Sequence, residues 1–544
     1  MSKNKAYIPI IISLAVAVGF LLGINLNSGS SSISFQKINP GESKNFNILN
    51  EVIGYIESEY VDTVQRQKLV DETVQYLLQE LDPHSYYISA KELQAMNEPL
   101  EGNFEGIGIQ FNIQKDTVVV INPLQGGPSE KVGVKAGDRI IKVEEELIAG
   151  NGITNSKVLK LLKGDKGTKV DITVKRNAQK LDFTITRDKI PIHSVDVAYM
   201  MTGKTGYIKV IRFAKTTYQE FMDVANELKS KGMENLIIDL RGNGGGFLDA
   251  AVDMSDELLE SGKMIVYTKG RARPKEVYKS GSDNSLTETS LAVLIDESSA
   301  SASEILAGAV QDNDRGLVIG RRSFGKGLVQ EQTMWPDGSA TRLTVARYYT
   351  PTGRCIQRPY DEGVEAYREE IYDRYKHGEM MHPDSTNFPD SLKYETPEGK
   401  TVYGGGGIFP DIFVPYDTVG GSAFLNRLVY RGVVYQWAFD YADTHREQLN
   451  GNYETAREFQ EKFSIGQSLI DDFVSFAKSE GVEPADGELE ESKAEIKHRL
   501  KAYVARNIWN NEGFYPIWNK NDNVVNKALE SLESGKPLSA LRAK

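Results

Sequence analysis

One cysteine, Cys355, and six histidines are all that this 544-residue chain holds of the side chains that most often carry thiol chemistry and bind zinc. A lone cysteine permits no intramolecular disulfide, and no Cys/His cluster has the spacing of a zinc site. Long blocks of one charge sign are also missing. The 64 basic and 76 acidic residues give a net charge of −12 and no basic footprint for nucleic acid. Internal repeats are absent, as is the G-x-S-x-G elbow of many hydrolases. Neither thiol chemistry nor a structural zinc site is implied.

Long apolar runs are scarce, with one exception. Lys3 and Lys5 precede an uncharged stretch from Tyr7 to Ile24, which reads as an export signal or a membrane anchor. No clear A-x-A cleavage site follows, so a retained anchor is the preferred reading. Positive residues on the short side keep that side cytoplasmic, which places the body at the periplasmic side of an inner membrane. The remainder, 40% hydrophobic and 26% charged overall, has the composition of a folded soluble protein and is long enough for three or four domains.

The pattern along the chain divides it. Residues 1–26 form the signal or anchor, and the Ser/Gly/Asn-rich residues 27–45 a flexible tether. Residues 46–96 carry apolar positions at helical spacing (Ile48, Leu49, Val52, Ile53, Ile56, then Leu69 to Leu81) up to the stop Asp82-Pro83-His84-Ser85. Residues 97–190 change to short β-rich runs at Ile107–Phe111, Thr117–Ile121, Arg139–Val143, Val170–Val174 and Leu181–Thr186, with one short helix at Ser156–Lys163. Residues 191–415 alternate strand and helix, which implies a largely parallel α/β sheet with its ligand site at the carboxyl ends of the strands. Residues 416–544 read as mainly helical. The expected fold is therefore a multidomain α/β protein with an inserted small domain, an N-terminal helical segment and a helical C-terminal region.

Two turns stand at such carboxyl ends. The buried-strand run Leu236–Leu240 leads into Arg241-Gly242-Asn243-Gly244-Gly245-Gly246, and the run Leu291–Ile295 leads through Ser299-Ala300-Ser301-Ala302-Ser303-Glu304 into a helix. Ser301 with Glu304 fits a capping box. A serine there also stands beside helix N–H groups that lack intrahelical partners and can donate to an oxyanion, and glycines let a second strand of backbone approach closely. A dinucleotide fingerprint fails because Phe247 stands where a third glycine or an alanine is needed.

A nucleophilic serine needs a base, and His84, His193, His377 and His382 offer no Ser/His/Asp set. The candidate is Lys326 in Ser323-Phe324-Gly325-Lys326-Gly327-Leu328-Val329-Gln330, provided that burial lowers its pKa; Gln330 would share its face and hold the amine by a neutral hydrogen bond. Two decoys overlap it. Gly320 to Lys326 spells G-x-x-x-x-G-K, but Gly327 replaces the magnesium-binding Ser/Thr. Ser323 to Lys326 spells S-x-x-K, which with Ser282-Asp283-Asn284 and Lys204-Thr205-Gly206 mimics penicillin-recognising enzymes, in reversed order.

Together these segments resemble the C-terminal processing peptidases, or tail-specific proteases. The resemblance runs from about Phe46 to Pro415 and includes Leu81-Asp82-Pro83-His84-Ser85, Phe104-Glu105-Gly106-Ile107-Gly108-Ile109, Lys135-Ala136-Gly137-Asp138-Arg139-Ile140, the two turns, Phe324-Gly325-Lys326-Gly327 and Gly407-Ile408-Phe409-Pro410-Asp411. It implies a serine endopeptidase with Ser301 as nucleophile, Lys326 as general base, Gln330 as its orienting residue, and an oxyanion hole made by the N–H groups of Ala302 and of Gly245, with Gly246 as its neighbouring alternative. Residues 97–190 then resemble a PDZ domain, whose loop Gly106, Ile107, Gly108, Ile109 would receive the terminal carboxylate of a polypeptide substrate. A membrane-tethered PDZ scaffold with an inactive protease domain is the non-enzymatic alternative. For residues 416–544, dimerisation into a homo-oligomer, adaptor binding and substrate capture all stay open.

Overall fold

The computed structural model describes residues 48–124, 126–382 and 389–536. The anchor and tether expected at 1–45 lie outside them, and among the described residues no helix is long and apolar enough to cross a membrane. The chain divides into two compact units, residues 1–70 and 71–544. The described part of the first unit is the helix Ile48–Glu59 and the opening of the helix Arg66–Gln79.

The second unit is built on a six-stranded sheet whose spatial order is its chain order: β1 (Val195–Met200), β2 (Thr205–Val210), β3 (Asn235–Asp239), β4 (Ser290–Ile295), β5 (Leu317–Gly320) and β6 (Ile412–Phe413). β1 runs antiparallel to β2, and the rest are parallel. Right-handed crossovers between strands in sequential order put their helices on one face. Accordingly Phe221, Met254 and Leu306, from the helices Thr217–Ser230, Leu248–Leu258 and Ala302–Asp312, share one core with Ile208, Leu236, Ile238 and Val293. Side chains alternate along a strand, so Tyr207, Ile237, Leu294 and Ile319 point the other way and need a separate cover. The last helix, Asn523–Glu533, supplies it through Val524, Val525 and Ala528.

A second, antiparallel sheet joins segments far apart in sequence. Its hairpin Leu328–Met334 and Ala340–Tyr349 accepts two more strands along the free edge of Ala340–Tyr349, Tyr86–Ile88 at one end and Met264–Lys269 at the other. The small mixed domain has a sheet in the order Ile109–Gln114, Thr117–Pro123, Arg139–Val143, Lys169–Arg176, Gln179–Thr186, with the helix Asn155–Leu162 packed against it. Asn103–Gly106 pairs with Asp188–Pro191 and so clasps the two ends of this domain.

The run Val118-Val119-Val120-Ile121 is buried on both faces. Val118 and Val120 face the small domain's own core, while Val119 and Ile121 pack on Phe439 of the helix Val433–Thr444. Arg139 with Asp443 (2.6 Å) and Asn122 with Asn510 (2.6 Å) make the polar contacts of the same seam. The C-terminal region is helical, with its own core around Phe424, Trp437, Phe459, Phe473 and Leu500. It thus touches both the small domain and the main sheet.

Candidate active site

The turns after β3 and β4 are stapled together by polar groups that the sequence places between the glycines and serines. Asn243, fully buried, accepts at its carbonyl from the Ala300 N–H (3.0 Å) and the Ser303 hydroxyl (2.9 Å). Ser299 donates to the Leu240 carbonyl at 2.9 Å. Ser299 and Ser303 are both fully buried and committed to backbone. Of the three serines, Ser301 alone lines the adjoining cleft, which measures about 640 Å³. Ser301, the serine expected from the family resemblance as nucleophile, is thus the one that faces the cleft.

Ser301 has φ 57° and ψ −113°, a left-handed backbone that costs a non-glycine residue about 1–3 kcal/mol and persists only where its surroundings enforce it. The enforcement is visible. Its N–H donates to Glu304 Oε2 at 2.8 Å, while its carbonyl accepts from Glu304 N and Ile305 N at 2.9 and 3.0 Å. Glu304, fully buried, does more than cap: it also accepts from Gly325 N (2.7 Å), Lys326 N (2.9 Å) and the Ser323 hydroxyl (2.5 Å). Burial drives its carboxyl up to about 7 despite these donors. Tyr348 ties the same two segments from another side, its hydroxyl 2.6 Å from the Lys326 carbonyl and 3.1 Å from that of Ser301.

The Gly-rich turn abuts the serine with no room to spare. A Cβ on Gly245 (φ +96°) would stand 2.8 Å from Ser301 Cβ and 2.9 Å from the Ala302 nitrogen. On Gly246 it would stand 2.0 Å from the Phe213 carbonyl oxygen. In this resting arrangement the Gly245 N–H donates to Asn243 Oδ1 at 2.9 Å, so receiving an oxyanion requires it to change partner.

Lys326 lines the same cleft. Its Nζ donates to Gln330 Oε1 at 2.9 Å, and the Gln330 amide in turn donates to the His84 carbonyl. Among the described residues no hydrogen bond joins Lys326 Nζ directly to Ser301. Burial pushes the Lys326 pKa below the ordinary lysine value, with Asp82 pulling it up and Arg342 adding to the fall. Cleft walls of Leu100, Phe247, Leu248, Ile305 and Leu328 account for the poor solvation.

His84, read from sequence as lying outside the α/β core, stands in the cleft beside this lysine. It gets there because Tyr86–Ile88 pairs with Ala340–Tyr349, a contact between segments some 250 residues apart that no local pattern announces. Asp82 shapes the approach by accepting from His84 N (2.8 Å), Ser85 N (2.8 Å) and the Ser85 hydroxyl (2.6 Å). Burial, followed by the nearby Lys326 charge, pushes the ring down to about 4, and its Nε2 is 2.8 Å from the Tyr367 hydroxyl. Such an imidazole is a poor base at neutral pH. Tyr348, Asp82 and the bridging role of Glu304 are likewise positions that sequence reasoning missed; the Asp-Pro-His-Ser turn was the one local signal available.

The decoys separate cleanly. Ser323 is fully buried, donates to Glu304, accepts from Ile408 N at 2.7 Å and does not line the cleft. The strand Leu328–Met334, and not a helix, follows Lys326, so Gly320 to Lys326 builds no phosphate cradle. Gly106, Ile107, Gly108 and Ile109 lie away from the cleft, at the start of the edge strand Ile109–Gln114. Gly108 (φ +71°) is closed in by Ile190 and Pro128, 2.9 and 3.2 Å from where a Cβ would be.

Residues 204–366 match peptidase family S41, residues 106–186 a PDZ domain, and residues 424–510 a family of unknown function (DUF8443). The carboxy-terminal processing protease CtpA of Bacillus subtilis is 34% identical over 357 residues, covering 65% of this chain and 75% of its own. The carboxy-terminal-processing protease of Bartonella bacilliformis is 35% identical over 314 residues, 56% of this chain and 71% of its own. Among solved structures, the photosystem II D1 C-terminal processing protease is 28% identical, covering 57% of this chain and 89% of its own at a TM-score of 0.33. The chain belongs to peptidase family S41, among the carboxy-terminal processing serine proteases.

Proposed function

We propose that this chain is an endopeptidase acting outside the cytoplasm, anchored through residues 7–24, which cleaves polypeptides presented by their C-terminal tails with a Ser301/Lys326 dyad. The observation that carries this reading is one cleft holding a strained, half-buried serine at a helix N-terminus and a lysine whose side-chain acceptor is a neutral amide.

A neutral amine has two N–H donors and one lone pair. Gln330 Oε1 takes one donor, and rotation about the lysine stem turns the lone pair toward Ser301 Oγ. Lys326 then takes the hydroxyl proton while Oγ bonds to the scissile carbonyl carbon, whose π electrons move to oxygen. The Ala302 N–H and the Gly-rich turn donate to that oxyanion, Gly245 releasing Asn243 to do so. The lysine ammonium gives its proton to the leaving nitrogen as the C–N bond breaks. Water, deprotonated by the same amine, opens the acyl-enzyme and returns Ser301. The substrate's terminal carboxylate is captured by the loop Gly106–Ile109, with the tail adding as a strand to the edge Ile109–Gln114.

Cleavage of an unstructured polypeptide, with a free or an amidated C-terminus, tests both halves. Ser301→Ala should lower kcat roughly 10⁴-fold or more, and amidation should lower kcat/KM about tenfold. A Ser301→Ala variant with full activity contradicts the nucleophile, and indifference to amidation contradicts carboxylate capture.

A further inference from the structure

The C-terminal region meets the base of the Gly-rich turn at one buried point. Lys209 on β2 places Nζ 3.1 Å from Asp239 Oδ1 and 2.6 Å from the Arg241 carbonyl. Arg241 donates to Asp239 from Nε and Nη2 at 3.0 and 2.7 Å, and from Nη1 to both oxygens of Asp522 at 3.0 and 2.9 Å. The side chains of Lys209, Asp239, Arg241 and Asp522 are 10%, 1%, 17% and 13% exposed. They form an alternating chain of two cations and two carboxylates. Without Asp522 the set carries a surplus positive charge in a poorly solvated place, and Arg241 keeps only the acid that Lys209 already shares.

Arg241 is also the hinge of the turn. Its N–H donates to Asp239 Oδ1 at 2.9 Å, its carbonyl accepts from Lys209, and the turn that begins with it carries Gly245 against Ser301 four residues later. Asp522 is itself held rigidly. It caps the helix Asn523–Glu533 by accepting from Val524 N and Val525 N, both at 3.0 Å, and that helix is packed on the open face of the main sheet. A carboxylate 281 residues away is thus delivered to Arg241 by a docked element.

We propose that Asp522 is a positioning residue for peptide cleavage. It holds Arg241, and through Arg241 the Gly-rich turn, in the geometry that receives the oxyanion. The last helix is then part of the active-site apparatus of this chain and not only a cover for the sheet. The inference rests on the reading of Ser301 and the turn given above.

Asp522 has two jobs, and substitution separates them. Asparagine caps a helix as well as aspartate does, so Asp522→Asn keeps the cap and removes the negative charge that faces Arg241. Glu533→Gln does the reverse, weakening the same helix's contact with the Thr202 and Thr205 hydroxyls (both 2.7 Å to Glu533 Oε1) while leaving Arg241 untouched. The assay measures kcat and KM on an unstructured polypeptide, with Ser301→Ala run beside each variant. It also measures binding of a peptide aldehyde, whose adduct carries an oxyanion, against the matching peptide alcohol, which forms none.

Asp522→Asn should lower kcat roughly 30-fold with KM within about twofold, and should weaken the aldehyde in parallel while sparing the alcohol. Asp522→Glu should return kcat to within about threefold of the parent, and Glu533→Gln should leave it unchanged. Full kcat in Asp522→Asn beside an inactive Ser301→Ala overturns this proposal alone. So does an equal fall in Glu533→Gln, or a fall in aldehyde and alcohol binding together, since either marks helix docking as the cause. Activity in Ser301→Ala overturns the reading beneath it.

Discussion

Two lysines, the buried Lys209 and the half-buried Lys326, differ in their company. Lys209 faces the Asp239 carboxylate within the alternating chain that Arg241 and Asp522 complete. Lys326 faces the Gln330 amide, with Asp82 and Glu304 felt only at longer range. Burial in the cleft penalises the charged form of Lys326. Lys209 is thus tied into an ion-pair network, while Lys326 meets a neutral acceptor, as the base role proposed for it requires.

Arginine breaks the comparison most sharply. Lys326→Arg keeps a cation but cannot release its proton, so kcat should fall on the order of 10³- to 10⁴-fold in the cleavage assay with the fold intact by circular dichroism. At Lys209 the damage should appear in stability instead. Lys209→Met leaves Asp239 short of one cation and should cost about 3 kcal/mol in urea unfolding. Activity surviving in Lys326→Arg, or stability unaffected in Lys209→Met, would remove the contrast.

Two groups in the neighbourhood of Lys326, the buried Glu304 and the half-buried His84, should make stability depend on pH with opposite signs. Glu304 rises from 4.5 to about 7 on folding, so its contribution is complete below pH 4.5 and is lost as pH climbs through 7. His84 falls from 6.5 to about 4, so its contribution is complete above pH 6.5 and is lost as pH drops through 4. The windows overlap and offset each other in the parent protein. Removing one exposes the other: Glu304→Gln should gain stability from pH 4 to 6.5, and His84→Asn should lose it from pH 4.5 to 7. Each change should reach up to about 3 kcal/mol in urea titrations. The smallest effect is expected at Gln330, whose replacement by leucine frees Lys326 from its guide and should lower kcat about tenfold with little change in KM.

Much of the cleft was legible because its signals are local. Buried-strand runs ended at Leu240 and Ile295, and glycines and serines at those ends marked the turns. A lysine followed by apolar residues, with glutamine four positions on, marked the second side of the cleft and the base proposed there. What escaped depends on which distant strands pair. His84 needed the pairing of Tyr86–Ile88 with a strand beyond residue 340, and Asn243 took up the Gly245 N–H through a side chain that a motif records only as a letter.

The C-terminal region shows the same limit. Its helices follow from periodicity, but the face that Val524, Val525 and Ala528 cover is set by the one-sided crossovers of a sheet hundreds of residues earlier. The apolar run at Val118–Ile121 did carry a hint, since a strand buried on both faces requires a second neighbour, here Phe439.

The central claim is that Ser301 is the nucleophile and that Lys326 activates it. The most direct measurement is peptide mass spectrometry after labelling with a fluorophosphonate, comparing the parent with Lys326→Arg. The account predicts one modified serine, Ser301, in the parent and almost none in the variant. Label on Ser323, or on Ser301 equally in both proteins, would contradict it.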